Sequence, residues 1–308
     1  FSGMKSVKEA ISKTLRNDTY IGRTMNENWG LWTQNVYINQ RHLAFSLAVM
    51  LLILIVMFPL HQKMIFTLRQ ARKVDFKHWI KELLVAESSW LPLDIRRSLA
   101  AGALLGLISF WNGAVVFAAL PILFFMALFS KHRLEYLNIA LVTIILSLVE
   151  SVFFIGSSAS AVNPKIYIGF LAEQKDLIGI LKYYLEMLGI LPLVAIAAVF
   201  FLPRGMRWLL LAFTAPLIMA TVVQLTPDIN ANHKFVIISV ILVNIAAAYL
   251  LYILFSSKKA VLTILAVILT ITMTVTGVVD FFTRCNLNTS RRCVTVKTDD
   301  PVMIWIKQ

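Results

Sequence analysis

Charge is scarce in this chain, and cysteine scarcer still. Of 308 residues, 15% are Asp, Glu, Lys or Arg, and two are cysteines. With 59% hydrophobic residues and a mean hydropathy of +0.77, that composition excludes an ordinary soluble globular domain. Two cysteines are too few for a disulfide-stapled scaffold or a Cys-rich zinc module. The sequence has no Walker loop, no dinucleotide fingerprint and no Gly-x-Ser-x-Gly elbow, so nothing points to nucleotide chemistry in the cytosol. It also lacks HxxxH, HExxH and DxD spacings; no metal site is read, and a divalent ion has no support from the pattern. No internal repeat or low-complexity tract stands out. No secretory signal peptide is visible, and because Phe1 is not an initiator methionine the chain is expected to be an excised piece of a longer protein.

What the sequence does have is long apolar runs. A helix needs about 20 apolar residues to cross a bilayer, and several runs meet that length. Spans are expected at about 42–60, 99–111, 114–130, 137–156, 183–202, 207–225, 235–256 and 262–282. The stretch from Leu99 to Ser130 would overshoot a core of about 30 Å as one helix, so a tight hairpin turning at Trp111–Gly113 is expected. The expectation is therefore an all-α polytopic membrane bundle of seven to eight spans, one of them a short hairpin. A polar segment, 1–41, precedes it, and a tail, 283–308, begins a further domain. Residues 61–97, basic and dotted with Trp79, Ile80, Leu83, Leu84 and Trp90, read as an interfacial amphipathic helix.

The net charge of +13 suits nucleic acid in the abstract, but these basic residues lie between spans, where they report topology and anionic lipid; no nucleic-acid partner is read. Segments 61–97, 131–136, 203–207 and 257–260 fall on one side and hold 14 of the 29 Lys and Arg. That side is expected to be cytoplasmic, which puts both ends of the chain on the outer or lumenal side of a plasma, inner or endoplasmic reticulum membrane. The sequons at Asn17 and Asn288 agree with this, as do Cys285 and Cys293, a disulfide candidate on the outer side.

Polar residues at span ends carry the functional signal. Pro227-Asp228-Ile229-Asn230-Ala231-Asn232-His233-Lys234 is a polar knot directly before an apolar run, and Asn39-Gln40-Arg41-His42 abuts the first span. Arg grips phosphate with a bidentate fork and Lys with a point charge, so Arg41, His42, His233 and Lys234 are candidate lipid-phosphate ligands. The plainer reading is interfacial snorkelling, with Asn232 capping a helix. Glu150 lies inside a span, where an ionised carboxylate costs about 2.5–3.5 kcal/mol, and is read with Asn232 and Asn39 as lining an outer cavity. Its alternative is a protonated, hydrogen-bonded group between helices. Lys182–Glu186 and Asp280–Arg284 have the spacing of local ion pairs, and Asp299-Asp300 that of a cap on a helix over 301–307.

Three stretches resemble the multi-spanning part of GT-C superfamily membrane glycosyltransferases. They are Trp32 with Asn35-Val36-Tyr37-Ile38-Asn39-Gln40-Arg41-His42-Leu43, Gly102 with Gly106-Leu107-Ile108-Ser109-Phe110-Trp111-Asn112-Gly113, and Pro227 with Asn232-His233-Lys234-Phe235. The span order and the polar exit at Asp299-Asp300 and Trp305-Ile306-Lys307 are similar too. The resemblance implies inverting transfer of a sugar from a polyprenyl-phosphate donor at the outer face, the lipid-linked sugar being the partner and the acceptor left open. It also implies a catalytic carboxylate in a first outer loop, upstream of Phe1, so no residue here is assigned as catalytic. A transporter or lipid flippase and a non-catalytic membrane scaffold are the alternative readings.

Overall fold

The computed structural model describes residues 41–71, 93–128, 130, 132–155, 164–225 and 227–285, with isolated positions 6, 8, 9, 12, 13, 85 and 90. Residues 35–273 make one compact unit, and residues 1–34 with 274–308 a second. Nine α-helices are described: α1 Arg41–Ala71, α2 Ile95–Leu107, α3 Ser109–Leu128, α4 Arg133–Glu150, α5 Leu177–Leu188, α6 Leu191–Phe201, α7 Arg204–Val222, α8 His233–Phe255 and α9 Ala260–Cys285. A π-helical turn, Ser151–Ile155, continues α4, and a 3-10 turn, Ile229–Asn232, leads into α8. The two-residue strands β1 Lys165–Ile166 and β2 Val223–Gln224 pair antiparallel.

The protein is a helical membrane bundle. Among the described residues five helical stretches are long and apolar enough to cross a membrane, or six with the bent pair α5–α6; hydropathy alone leads one to expect seven to eight. Two boundaries differ from those expected. The first helix does not stop at residue 60; Pro59 sits inside it and α1 runs on to Ala71, absorbing the start of the segment expected to lie along the interface. The expected span 183–202 is not one helix, because the chain bends by 94° between α5 and α6. Gly189, at φ +58°, makes that corner in a left-handed conformation that only glycine adopts cheaply, and Pro192 starts the next helix. At about 1.5 Å per residue, the 11 residues of α6 reach only about half-way across the hydrocarbon. α5 exposes Leu177, Ile178 and Leu181 beside an exposed Lys182–Glu186 pair at 3.8 Å, the pattern of a helix lying along an interface.

The register of α2 against α4 fixes the path of the chain. The Glu135 carboxylate accepts from the backbone N–H groups of Leu93 and Asp94 at 2.7 and 2.8 Å. The Thr143 hydroxyl donates to the Gly102 carbonyl at 3.2 Å, and the Ser109 hydroxyl reaches Glu150. Each step up α2 is matched by a step up α4, so the two helices are parallel and α3 must carry the chain back between them. The turn falls at Asn112, whose backbone leaves helical geometry (φ −158°, ψ 92°) and whose side-chain oxygen accepts from the Ala114 N–H at 3.1 Å. Gly102 and Gly106 allow the parallel seam to close. A Cβ on Gly106 would lie 2.7 Å from the Leu146 Cβ, and one on Gly102 2.9 Å from the Ile139 carbonyl oxygen. Close approach through small residues is what binds helices in lipid, where burial of apolar surface gives no net drive.

α7 and α8 form an antiparallel hairpin, with Asn232 against Ala220 and Val223 and Ser239 against Phe213. α8 is the most enclosed of the described spans, with buried residues on one broad face from Phe235 to Leu254, while Ile245 and Tyr252 are exposed. The start of α1 packs beside the α2–α3 turn, Phe45 and Trp111 lying 5.6 Å apart. One end of the bundle, called the basic face below, gathers Arg96, Arg97 and Arg133. The opposite end gathers Ser109, Asn112 and Glu150. Only eight residues of sequence separate Ile155 from Pro164, fewer than a membrane-crossing helix needs. The β1–β2 pair and the polar knot therefore share the face of Glu150.

Candidate functional site

The knot at 227–234 is a folded object instead of a loose loop. Asp228 caps its 3-10 turn, accepting from the Asn230 backbone and side-chain N–H groups at 2.9 and 3.0 Å. Gln224 donates to the Pro227 carbonyl at 2.8 Å. The Asn232 side chain does not cap α8, the plainer of the two readings its sequence position allows. It turns back instead and donates to the carbonyls of Ala220 and Val223 at 3.1 and 2.6 Å. Asn232 is 1% exposed, so it staples the last turn of α7 to the first of α8 from inside. Replacing Asn232 with Leu leaves two buried carbonyls unpaired, a loss of about 1–3 kcal/mol for each buried group left unmade. Thermal unfolding of N232L in detergent is expected to show a clear fall in melting temperature.

His233 and Lys234 follow on the first turn of α8. His233 Nδ1 meets the Asn230 carbonyl oxygen at 2.6 Å, which fixes its ring against the knot. Lys234 is half-buried and, among the described residues, makes no ion pair. A partly desolvated ammonium with no carboxylate paired to it among the described residues is able to hold an anion.

A second segment, missed by the sequence reading, flanks the knot. Tyr167 and Gly169 donate from their backbones to Val222 and Thr221 at 3.1 and 2.8 Å, extending the β1–β2 pairing and setting Lys165 opposite Gln224. Phe170 then adopts φ +48°, a costly conformation for a bulky residue, and is wholly buried. Its carbonyl accepts from Lys175 Nζ at 2.8 Å, and Lys175 also lies over the Tyr167 ring at 5.0 Å. Tyr184 and Thr221 join hydroxyls at 2.7 Å, tying α5 to the same corner. Two-residue strands leave no periodicity, so nothing in the sequence announces this loop; Gly169 next to an aromatic is its one trace.

The other candidates divide. Glu150 is buried, and its carboxylate is engaged by the Ser109 hydroxyl at the head of α3, directly before the π-turn. π-turns of this kind are concentrated at functional sites. His42 lies exposed on the first turn of α1. Arg41 begins that helix, but its side chain lies outside the described residues, as do Asn39, Cys293, the two sequons, residues 301–307 and the side chains of Asp280, Arg284 and Cys285. The structure thus brings Asn232, His233 and Lys234 together, and sets Glu150 with Ser109 separately on the same face. Among the described residues no group of three or more His, Cys, Asp or Glu is placed to hold a metal.

No known protein family, characterised protein or solved structure matches this chain. The chemistry of the corner is therefore the guide to function. It offers one half-buried ammonium, an oriented imidazole and a rigid amide frame at the mouth of a membrane helix hairpin.

Proposed function

We propose that the protein is a membrane-embedded glycosyltransferase, or the membrane core of one, that holds a polyprenyl-phosphate sugar by its phosphate at the knot on the outer membrane face. The observation that carries this reading is Lys234, a half-buried cation with no ion pair among the described residues, set on a scaffold that Asn232 and Asp228 hold in place. A phosphate supplies the missing charge. An isoprenoid tail stays in the bilayer alongside, so head group and chain are met at one level. His233 donates from Nδ1 to the Asn230 carbonyl, so in its neutral form its Nε2 is placed to accept from a sugar hydroxyl.

The test is binding of a short-chain polyprenyl phosphate to the purified protein in nanodiscs, with the matching polyprenol as control. Saturable binding that depends on the phosphate is expected. Equal binding of alcohol and phosphate sinks the proposal.

One feature favours a lipid flippase as the second reading. The 94° break between α5 and α6 yields a half-length helix, as in transporters that coordinate their cargo on broken spans. Movement of a labelled lipid phosphate across proteoliposomes without any sugar transfer would select it.

A further inference from the structure

The basic face carries a separate feature. Between the end of α3 and the start of α4 lies a cavity of about 490 Å³, within the size range of small-ligand sites. Its walls are apolar, Leu123, Ala127 and Ala140 among them, with Trp90 at one side. It continues onto the bilayer-facing surface, where Phe124, Leu137 and Ile144 are each more than two-fifths exposed. A chain already in the membrane can enter sideways without passing through water.

One polar group interrupts this apolar lining. It is Arg133, nearly buried, which donates to the Leu128 carbonyl at 3.2 Å and lies 5.6 Å from the centre of the Trp90 ring. Its guanidinium is a planar fork of the shape that meets phosphate oxygens bidentately. Tyr136 packs behind it, 3% exposed, with its hydroxyl turned towards Ser130 and away from the cavity surface.

We infer that this groove binds one acyl chain of an anionic phospholipid, whose phosphate meets Arg133. The sign of the head group follows from the surroundings. Arg96 stands at the start of α2 on the same face, beside Arg97, which is paired with Asp94 at 3.3 Å, and Lys258 and Lys259 follow the end of α8. Each basic residue near a bilayer surface adds about 1 kcal/mol of attraction for anionic lipid. The site lies at the opposite end of the bundle from Lys234, so it stands or falls independently of the glycosyltransferase reading.

Native mass spectrometry of the full chain, released from mixed phosphatidylglycerol and phosphatidylcholine, tests the site. Preferential retention of one phosphatidylglycerol is expected. Ala140→Trp, which fills the groove, should reduce that retention at least tenfold. Arg133→Gln should bring the two lipids to near-equal retention. Melting temperatures of both variants show whether each is folded. A second measurement needs no variant: phosphatidylglycerol with a photoreactive acyl chain should label Phe124, Leu137 and Ala140 well above Ile264 and Ile268, which are exposed on α9. Equal retention of the two lipids by the wild-type protein, or labelling spread evenly over α4 and α9, overturns the inference.

Discussion

Lys234→Ala is expected to weaken polyprenyl-phosphate binding by about ten- to a hundredfold while leaving the protein folded. A hydrogen bond to a charged group contributes about 1.5–3 kcal/mol, and each 1.4 kcal/mol is a factor of ten in affinity. The fold is expected to survive because, among the described residues, no hydrogen bond or ion pair that holds the knot runs through this side chain. The frame is made by Asp228, Gln224 and Asn232 instead. Lys234→Arg keeps the charge and should retain most of the binding. Isothermal titration in nanodiscs with a melting curve beside it separates the two effects; unchanged affinity in K234A would remove Lys234 from the site. The contrast with Asn232→Leu is informative, since that change should lower stability first and affinity only as a consequence.

The largest effect on stability is expected on the other side of the bundle. Gly106→Val places a Cβ at 2.7 Å from the Leu146 Cβ and then adds two methyl groups beyond it. Gly102→Val meets the Ile139 carbonyl oxygen and the Val142 Cβ, both at 2.9 Å. Backbone atoms cannot step aside as the end of a long side chain can, so α2 and α4 must separate. Overpacking of this kind costs about 1–3 kcal/mol, and here it also stretches the Thr143 bond to the Gly102 carbonyl and the Ser109 bond to Glu150. Loss of most folded protein after detergent extraction is expected for G102V, with G106V close behind. Gly113→Ala serves as the control, because a Cβ there meets nothing within 4 Å. If G102V extracts and melts like the wild type, the parallel seam is wrong.

Much of the helical framework can be read from the sequence, because a membrane asks one question of each segment and apolar length answers it. α8 is apolar around most of its circumference from Phe235 to Phe255, broken by Ser239 and Asn244, and it is the most enclosed of the described spans. The reversal at Asn112 is legible for a related reason: 32 apolar residues are too many for one crossing, and Trp-Asn-Gly is the polar, flexible point within them. The corner at Gly189 was hidden by the same averaging. Apolar residues lie on both sides of it, so hydropathy runs straight through a 94° bend that only the glycine and the following Pro192 betray. Partner choice is less legible again. Gly102 and Gly106 advertise a close contact but not with what, and only the hydrogen bonds from Leu93 to Glu150 identify α4 as the partner. At the knot, composition marks Asn232 as polar and placed at a helix start, which describes a cap equally well; the direction of its amide decides the matter and is a property of the folded chain.

The parallel seam has a consequence for how the protein is made. α2, with 13 residues and two arginines at its start, rises only about 20 Å and is not among the helices able to cross a membrane by themselves. The residues that hold it lie 41 positions further along the chain. At translation rates of about 5–20 residues per second, that delay is about 2–8 seconds. During it α2 and α3 must wait as a shallow pair, with the α2 start and the Ser109 hydroxyl unclaimed, until α4 emerges to complete the crossing. Ribosome pausing placed between Leu128 and Arg133 would prolong the wait and expose the unfinished hairpin to quality control, whereas a pause after Glu150 would find it already clasped.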